Sequence, residues 1–229
     1  MIPKLFPNRD CPALPKRERR KEARPGELLA AALALFVEKG YAATRSEEVA
    51  RRAGVSKGTL FLYYASKEEL FKAVVRDTIA GRFPEWNAEF DAHTGSSADL
   101  LRYALTSWWE RVGNTQASGI TKLMVSEASN FPELAEFYQR EVIAPGRDLI
   151  RRILERGVAS GEFRAVDVAQ SVFVVMAPII FLMTWMHSFG NCRNGSDALE
   201  PEKYLATQID ILLQGLCQSD TMTKAPAAP

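Results

Sequence analysis

An all-α fold is predicted, an N-terminal three-helix unit followed by a larger helical body, and three observations carry it. Apolar residues recur at helical spacing along most of the chain. No stretch of useful length alternates apolar and polar residues as a half-buried strand would. The gaps between periodic segments carry helix punctuation in the form of Ser and Thr caps, glycines and prolines.

Residues 1–24 form the first unit. Four prolines within 1–15 and little periodicity predict disorder. Lys16, Arg17, Arg19, Arg20, Lys21 and Arg24 then make a basic arm, suited either to an adjacent minor groove or to a solubilising role. The next unit spans 25–72. Pro25 suits a first helical position, and a helix over 25–39 places Leu28, Leu29, Ala32, Leu35 and Phe36 on one face before Gly40 closes it. Thr44 and Glu47 have capping-box spacing, which predicts a helix to about residue 53 with Val49, Ala50 and Ala53 inward. Gly54 supplies the left-handed stop, Val55 fills the angle, and Ser56 caps a helix over 57–64. Leu60 faces the core of this unit. Lys57, Thr59, Leu62 and Tyr63 face outward, and Gly58 lets the backbone approach a surface closely. Cap, turn, cap, small residue and outward Lys, Thr and Tyr together read as a helix-turn-helix, whose usual target is the major groove of DNA.

A helix beginning after Ser66, with Leu70, Phe71, Val74 and Val75, runs to about residue 81 and joins this head to a body over 73–218. Body helices are predicted at 97–112, 117–128, 132–157, 167–189 and 201–216, with breaks at 83–84, 93–97, 130–132, 160–161 and 190–196. Pro145-Gly146 divides or kinks the third, and 219–229 is a flexible tail. Residues 172–189 are the most apolar stretch and approach the length of a membrane span. Pro178 interrupts the run, His187 lies near its end, and no second apolar span accompanies it, so no membrane is expected as a partner. A helix apolar all round is what burial on both sides produces. The expected dimer contacts are Val172, Val175, Ile179 and Leu182 here, and Leu205, Ile209, Leu212, Leu213 and Leu216 on the last helix.

The 229 residues carry a net charge of only +1, but its distribution is uneven. Sixteen Lys/Arg and nine Asp/Glu precede Asp77, giving +7; thirteen and nineteen follow, giving −6. A basic head on an acidic body fits a polyanion at one end only. Cys11, Cys192 and Cys217 are far apart and odd in number, which predicts reduced thiols. With no long apolar run at the N-terminus, no secretory signal is expected, and the protein is expected in the cytoplasm. His93 and His187 are the only histidines, and neither has a partner at metal-helix spacing. No nucleophile elbow, phosphate loop or paired-carboxylate motif appears. Neither an enzyme, a metal nor a cofactor is expected.

These residues resemble the TetR family of bacterial transcriptional regulators. The resemblance spans 27–75, under a quarter of the chain. It rests on Leu28, Leu29, Ala31, Ala32, Leu35, Phe36, Lys39, Gly40 and Tyr41, then the run from Ala53 through Gly54, Val55, Ser56, Lys57, Gly58 and Thr59 to Leu60, then Tyr63, Tyr64, Ser66, Lys67, Glu68, Glu69 and Leu70. It implies a homodimer on a roughly palindromic stretch of double-stranded DNA, repression as the usual outcome, and release by a small molecule bound in the body. It also implies that Lys57, Gly58, Thr59 and Tyr63 of the recognition helix meet DNA and that Thr44 and Lys67 touch phosphate. Arg45, Ser56, Leu62 and Tyr64 complete the candidate DNA-facing set. Phe61 stands where the family usually has tyrosine, and Ser46 where it usually has an apolar residue. For the effector, the soft side chains Trp86, Tyr103, Trp108, Met124, Phe137, Met176 and Met183, with Glu127 and His187 as polar anchors, predict a lipophilic or aromatic molecule. The alternative is an adaptor whose body has a solid core and docks a protein.

Overall fold

The structure is a computed structural model that describes residues 19–190 and 199–217, with side chains from Pro25 onward. The expectations for residues 1–18, the arm's side chains, Cys11, Cys192 and the tail from 219 lie outside the described residues. Among the described residues the chain is helical, with no strand beyond an isolated bridge between Phe163 and Cys217.

Four helices make the head. The first, α1 (Arg19–Ala43), begins upstream of Pro25, so Pro25 is inside the helix and residues 19–24 extend it; the sequence reading that started the helix at Pro25 is corrected. Arg, Lys, Glu and Ala are good helix formers and continue the helix past the proline. Gly40 does not end α1 outright but breaks it, at φ 84° and ψ 170°, before one more turn. The break returns the chain beneath α1 and buries Thr44, which is 1% exposed. Its hydroxyl donates to the carbonyls of Gly40 and Leu35 at 2.7 and 3.1 Å. Thr44 is therefore neither the expected cap nor a phosphate contact; the cap of α2 (Ser46–Arg52) is Arg45, through its backbone alone. Then come α3 (Lys57–Tyr63) and α4 (Lys67–Thr78), the latter capped by Ser66, whose Oγ accepts the Glu69 N–H. α4 stops at Thr78, short of residue 81, and one 3₁₀ turn over Ala80–Arg82 follows.

The body begins with a helix the sequence reading missed, α5 (Phe83–Ala92). Phe83-Pro84 reads as a break, but proline in a first turn loses no helical hydrogen bond and here marks a helix start. Next are α6 (Ser97–Trp108), which runs into a π-helical turn over Trp109–Gly113, and α7 (Ser118–Glu127). α8 (Pro132–Tyr138) passes through a second π turn, Gln139–Ile143, into α9 (Ala144–Ala159). Pro145 has no N–H for the carbonyl one turn back, and the helix widens just ahead of it. α10 (Val168–Phe189), capped by Asp167, and α11 (Pro201–Leu216) close the body.

Two apolar clusters hold the molecule. One runs from Leu28, Phe36, Leu60 and Phe71 of the head into Ile120, Met124 and Phe137 of α7 and α8. The other joins α6, α9, α10 and α11. The second cluster corrects the dimer assignment. Val172, Val175, Ile179, Leu182, Leu205, Ile209, Leu213 and Leu216 are buried inside the subunit, and Leu212 packs beside them. The side chains facing out are Phe173, Val174, Phe181, Trp185 and Phe189 of α10 and Ile211 of α11. A helix that is apolar on every side has no polar face from which its inward direction can be read.

Candidate DNA-binding surface and effector pocket

The turn between α2 and α3 is made by Gly54, at φ 68°, and closed by the Val55 N–H donating to the Ala50 carbonyl at 2.9 Å. Ser56 caps α3: its Oγ accepts the Thr59 N–H at 3.1 Å and lies 2.8 Å from the Thr59 hydroxyl. Leu60 is the one fully buried side chain of α3 and fixes its roll. Lys57, Phe61, Leu62 and Tyr63 then face solvent, Leu62 at 84% exposure. A Cβ on Gly58 would meet only Ser56 Oγ, at 3.8 Å, so no internal contact demands glycine there. Its bareness faces outward.

The surface is less basic than the sequence suggests. Lys57 pairs with Glu47 of α2 and lies 5.8 Å above the Phe61 ring. That ammonium holds the Glu47 carboxyl below its ordinary value. Arg45 is exposed. Two further candidates turn away. The Lys67 ammonium donates to the carbonyls of Tyr41 and Ala42 at 2.9 and 3.3 Å and stands 4.3 Å from the Tyr41 ring; burial lowers its pKa. Tyr64 packs against the head's core, and burial raises its phenol. Both are structural first.

The body encloses a cavity of about 350 Å³. α6 contributes Trp108 and Leu105, α7 Thr121, Met124 and Val125, the second π turn Gln139, Val142 and Ile143, and α10 Met176, Ile180 and Met183. Phe83, Tyr138 and Gly146 complete the wall, and no charged side chain lines it. Val125 and Gln139, both exposed, mark the mouth. The polar feature inside is a hydroxyl pair, Thr121 Oγ1 to Tyr138 Oη at 3.0 Å. Burial pushes the Tyr138 phenol up to about 12, so it stays a neutral donor.

Of the candidate effector residues, Trp108, Met124, Met176 and Met183 line this cavity together. The other candidates stand elsewhere. Trp86 packs behind Trp108 and donates its indole N–H to Ser107 Oγ at 3.1 Å. Tyr103 is exposed beside Arg111, and Phe137 lies in the head's core under Arg76. His187 Nε2 sits 2.8 Å from Ser118 Oγ, and Glu127 turns toward α1. Phe83 and Tyr138 join the wall as well, and no local signature in the sequence separates either from plain core.

Comparison with known proteins bears on both features. A family model for bacterial regulatory proteins of the tetR family matches residues 28–74, and one for the tetracyclin repressor-like C-terminal domain matches 91–188. The uncharacterised HTH-type transcriptional regulator YdeS of Bacillus subtilis is 28% identical over 164 residues, 71% of this chain and 79% of its own. The HTH-type transcriptional repressor KstR2 of Mycolicibacterium smegmatis is 28% identical over 143 residues, 62% of this chain and 68% of its own. The transcriptional regulator FadR from Bacillus subtilis, solved in complex with stearoyl-CoA, shares the fold at a TM-score of 0.70 and 19% identity, over 83% of this chain and 98% of that one.

Proposed function

The chain belongs to the tetR family of bacterial regulatory proteins and is a DNA-binding transcriptional regulator, not an enzyme; within that class we propose a homodimeric repressor that leaves its operator when a lipophilic small molecule enters the body. Two heads address successive major grooves of a palindromic site, about 34–36 Å apart. Lys57 and Arg45 supply phosphate or base contacts, Thr59, Leu62 and Tyr63 read base edges and methyl groups, and Gly58 admits close approach. Lys57 changes partner from Glu47 to DNA on binding. The subunits pair through the outward aromatic row Phe181, Trp185 and Phe189, whose rings lie 5.6 and 5.0 Å apart in sequence along α10.

The observation that carries the effector reading is the uncharged cavity itself. Its wall of methionine, aromatic and branched side chains favours an apolar ligand, with the Thr121–Tyr138 hydroxyl pair as its polar point and any charged portion left outside the mouth. A stearoyl-CoA complex among the fold neighbours agrees with that chemistry, and a repressor among the relatives agrees with the proposed outcome. An adaptor would carry a filled core in place of the cavity. Gel-shift titration on genomic fragments recovered by pull-down tests the DNA half: Lys57→Ala with Tyr63→Ala abolishes specific retardation, and undiminished binding would reject α3 as the reader.

A further inference from the structure

We propose that Glu127 is the positioning residue through which the pocket acts on the elbow joining α1 to α2. This rests on the effector reading above. At Gly40 the backbone leaves the helical region, so the N–H groups of Tyr41 and Ala42 fall outside the ladder of α1. Glu127 of the body accepts Tyr41 N–H at 2.9 Å and Ala42 N–H at 3.3 Å. A Cβ on Gly40 would lie 2.6 Å from Glu127 Oε1, so this contact needs glycine for space as well as for its φ.

The carbonyls of the same two residues are held from the other side by Lys67 of α4. The elbow is thus gripped by the body through its donors and by the head through its acceptors. It leads within three residues to Thr44 and Arg45, the entry to α2. On the body side, Met124, Val125 and Ala128 line the pocket around the last turn of α7, while Glu127 leaves that turn toward α1. A ligand that displaces the turn displaces the carboxylate with it. A second link crosses from the π turn, where Glu141 holds Arg76 of α4 by two 2.8 Å hydrogen bonds. That pair is exposed to solvent and screened by salt; the Glu127 clamp is directed at the backbone, its Tyr41 bond part-buried and its Ala42 bond exposed.

Residue-resolved amide exchange on the full chain tests the inference, with 1-anilinonaphthalene-8-sulfonate as the lipophilic probe. Glu127→Ala accelerates exchange at Tyr41 and Ala42 by about tenfold, the equivalent of one net hydrogen bond. Glu127→Gln, with one acceptor left, protects only one of the two amides. Probe binding accelerates both in the parent chain and adds nothing in Glu127→Ala. Pocket occupancy is read separately, by probe fluorescence that Ile180→Trp removes by filling the cavity. Saturable fluorescence with unchanged exchange at both amides overturns the coupling and leaves the pocket standing. Absence of pocket fluorescence overturns the effector reading, and this inference with it.

Discussion

α3 and α10 both expose large apolar side chains, and the difference lies in their company. α3 is seven residues long, buries Leu60, and sets Leu62 and Tyr63 beside Lys57 and Thr59. α10 is twenty-two residues long and exposes Phe173, Val174, Phe181, Trp185 and Phe189 with no Lys, Arg, Asp or Glu anywhere in it. An apolar surface mixed with a cation suits a hydrated, charged duplex; a continuous one suits dry contact with its own kind. The sharpest way to break this contrast is on α10. Phe181→Asp with Trp185→Asp leaves a monomer by light scattering, and operator affinity falls by about 10²–10⁴-fold as the linked second head is lost. Leu182, one residue along but inward, behaves differently: Leu182→Ala costs about 2–5 kcal/mol in urea unfolding and leaves the dimer mass unchanged. An exchange of these two phenotypes would reverse the faces assigned to α10.

The same contrast explains what could be read in advance. α3 was legible because its signals are local: Ser56 caps, Gly54 turns, and one apolar position in Leu60 separates inside from outside. α10 offers no such separation, and from spacing alone its inner residues read as the interface. The pocket was half legible. Trp108, Met124, Met176 and Met183 converge, but helical spacing does not say that Phe137 belongs to the head's core or that Tyr138 beside it faces the cavity. Thr44 failed for a related reason. Its spacing to Glu47 is local, while the hydrogen bonds that claim it come from the fold of α1 around Gly40.

A smaller effect sharpens the α3 side. Ser56→Ala removes the acceptor for the Thr59 N–H and costs about 0.5–2 kcal/mol. The loss falls on the head's own stability and on operator affinity, because an uncapped α3 frays where Lys57 and Thr59 must be held. Urea unfolding followed alongside gel shift measures both. Loss of stability with unchanged affinity would mean that DNA itself supplies the missing order.

The smallest effect is on the inner face of α10, where its one titratable group lies. His187 is half-buried against α7, with Nε2 2.8 Å from Ser118 Oγ and the backbone of Gly119 alongside. Burial first, and the charge of Lys122 second, hold its pKa below the ordinary 6.5. The unfolded chain therefore takes up this proton before the folded chain does. The stability that His187 contributes is fully present above about pH 6.5, and it is lost as the pH falls through the folded value. His187→Gln keeps a hydrogen-bonding partner for Ser118 but has nothing to protonate, so its urea midpoint declines less between neutral and mildly acidic pH than that of the parent. An identical decline in the two chains would place the acid sensitivity elsewhere, and would leave the inner face of α10 as purely apolar in its energetics as its outer face is in its surface.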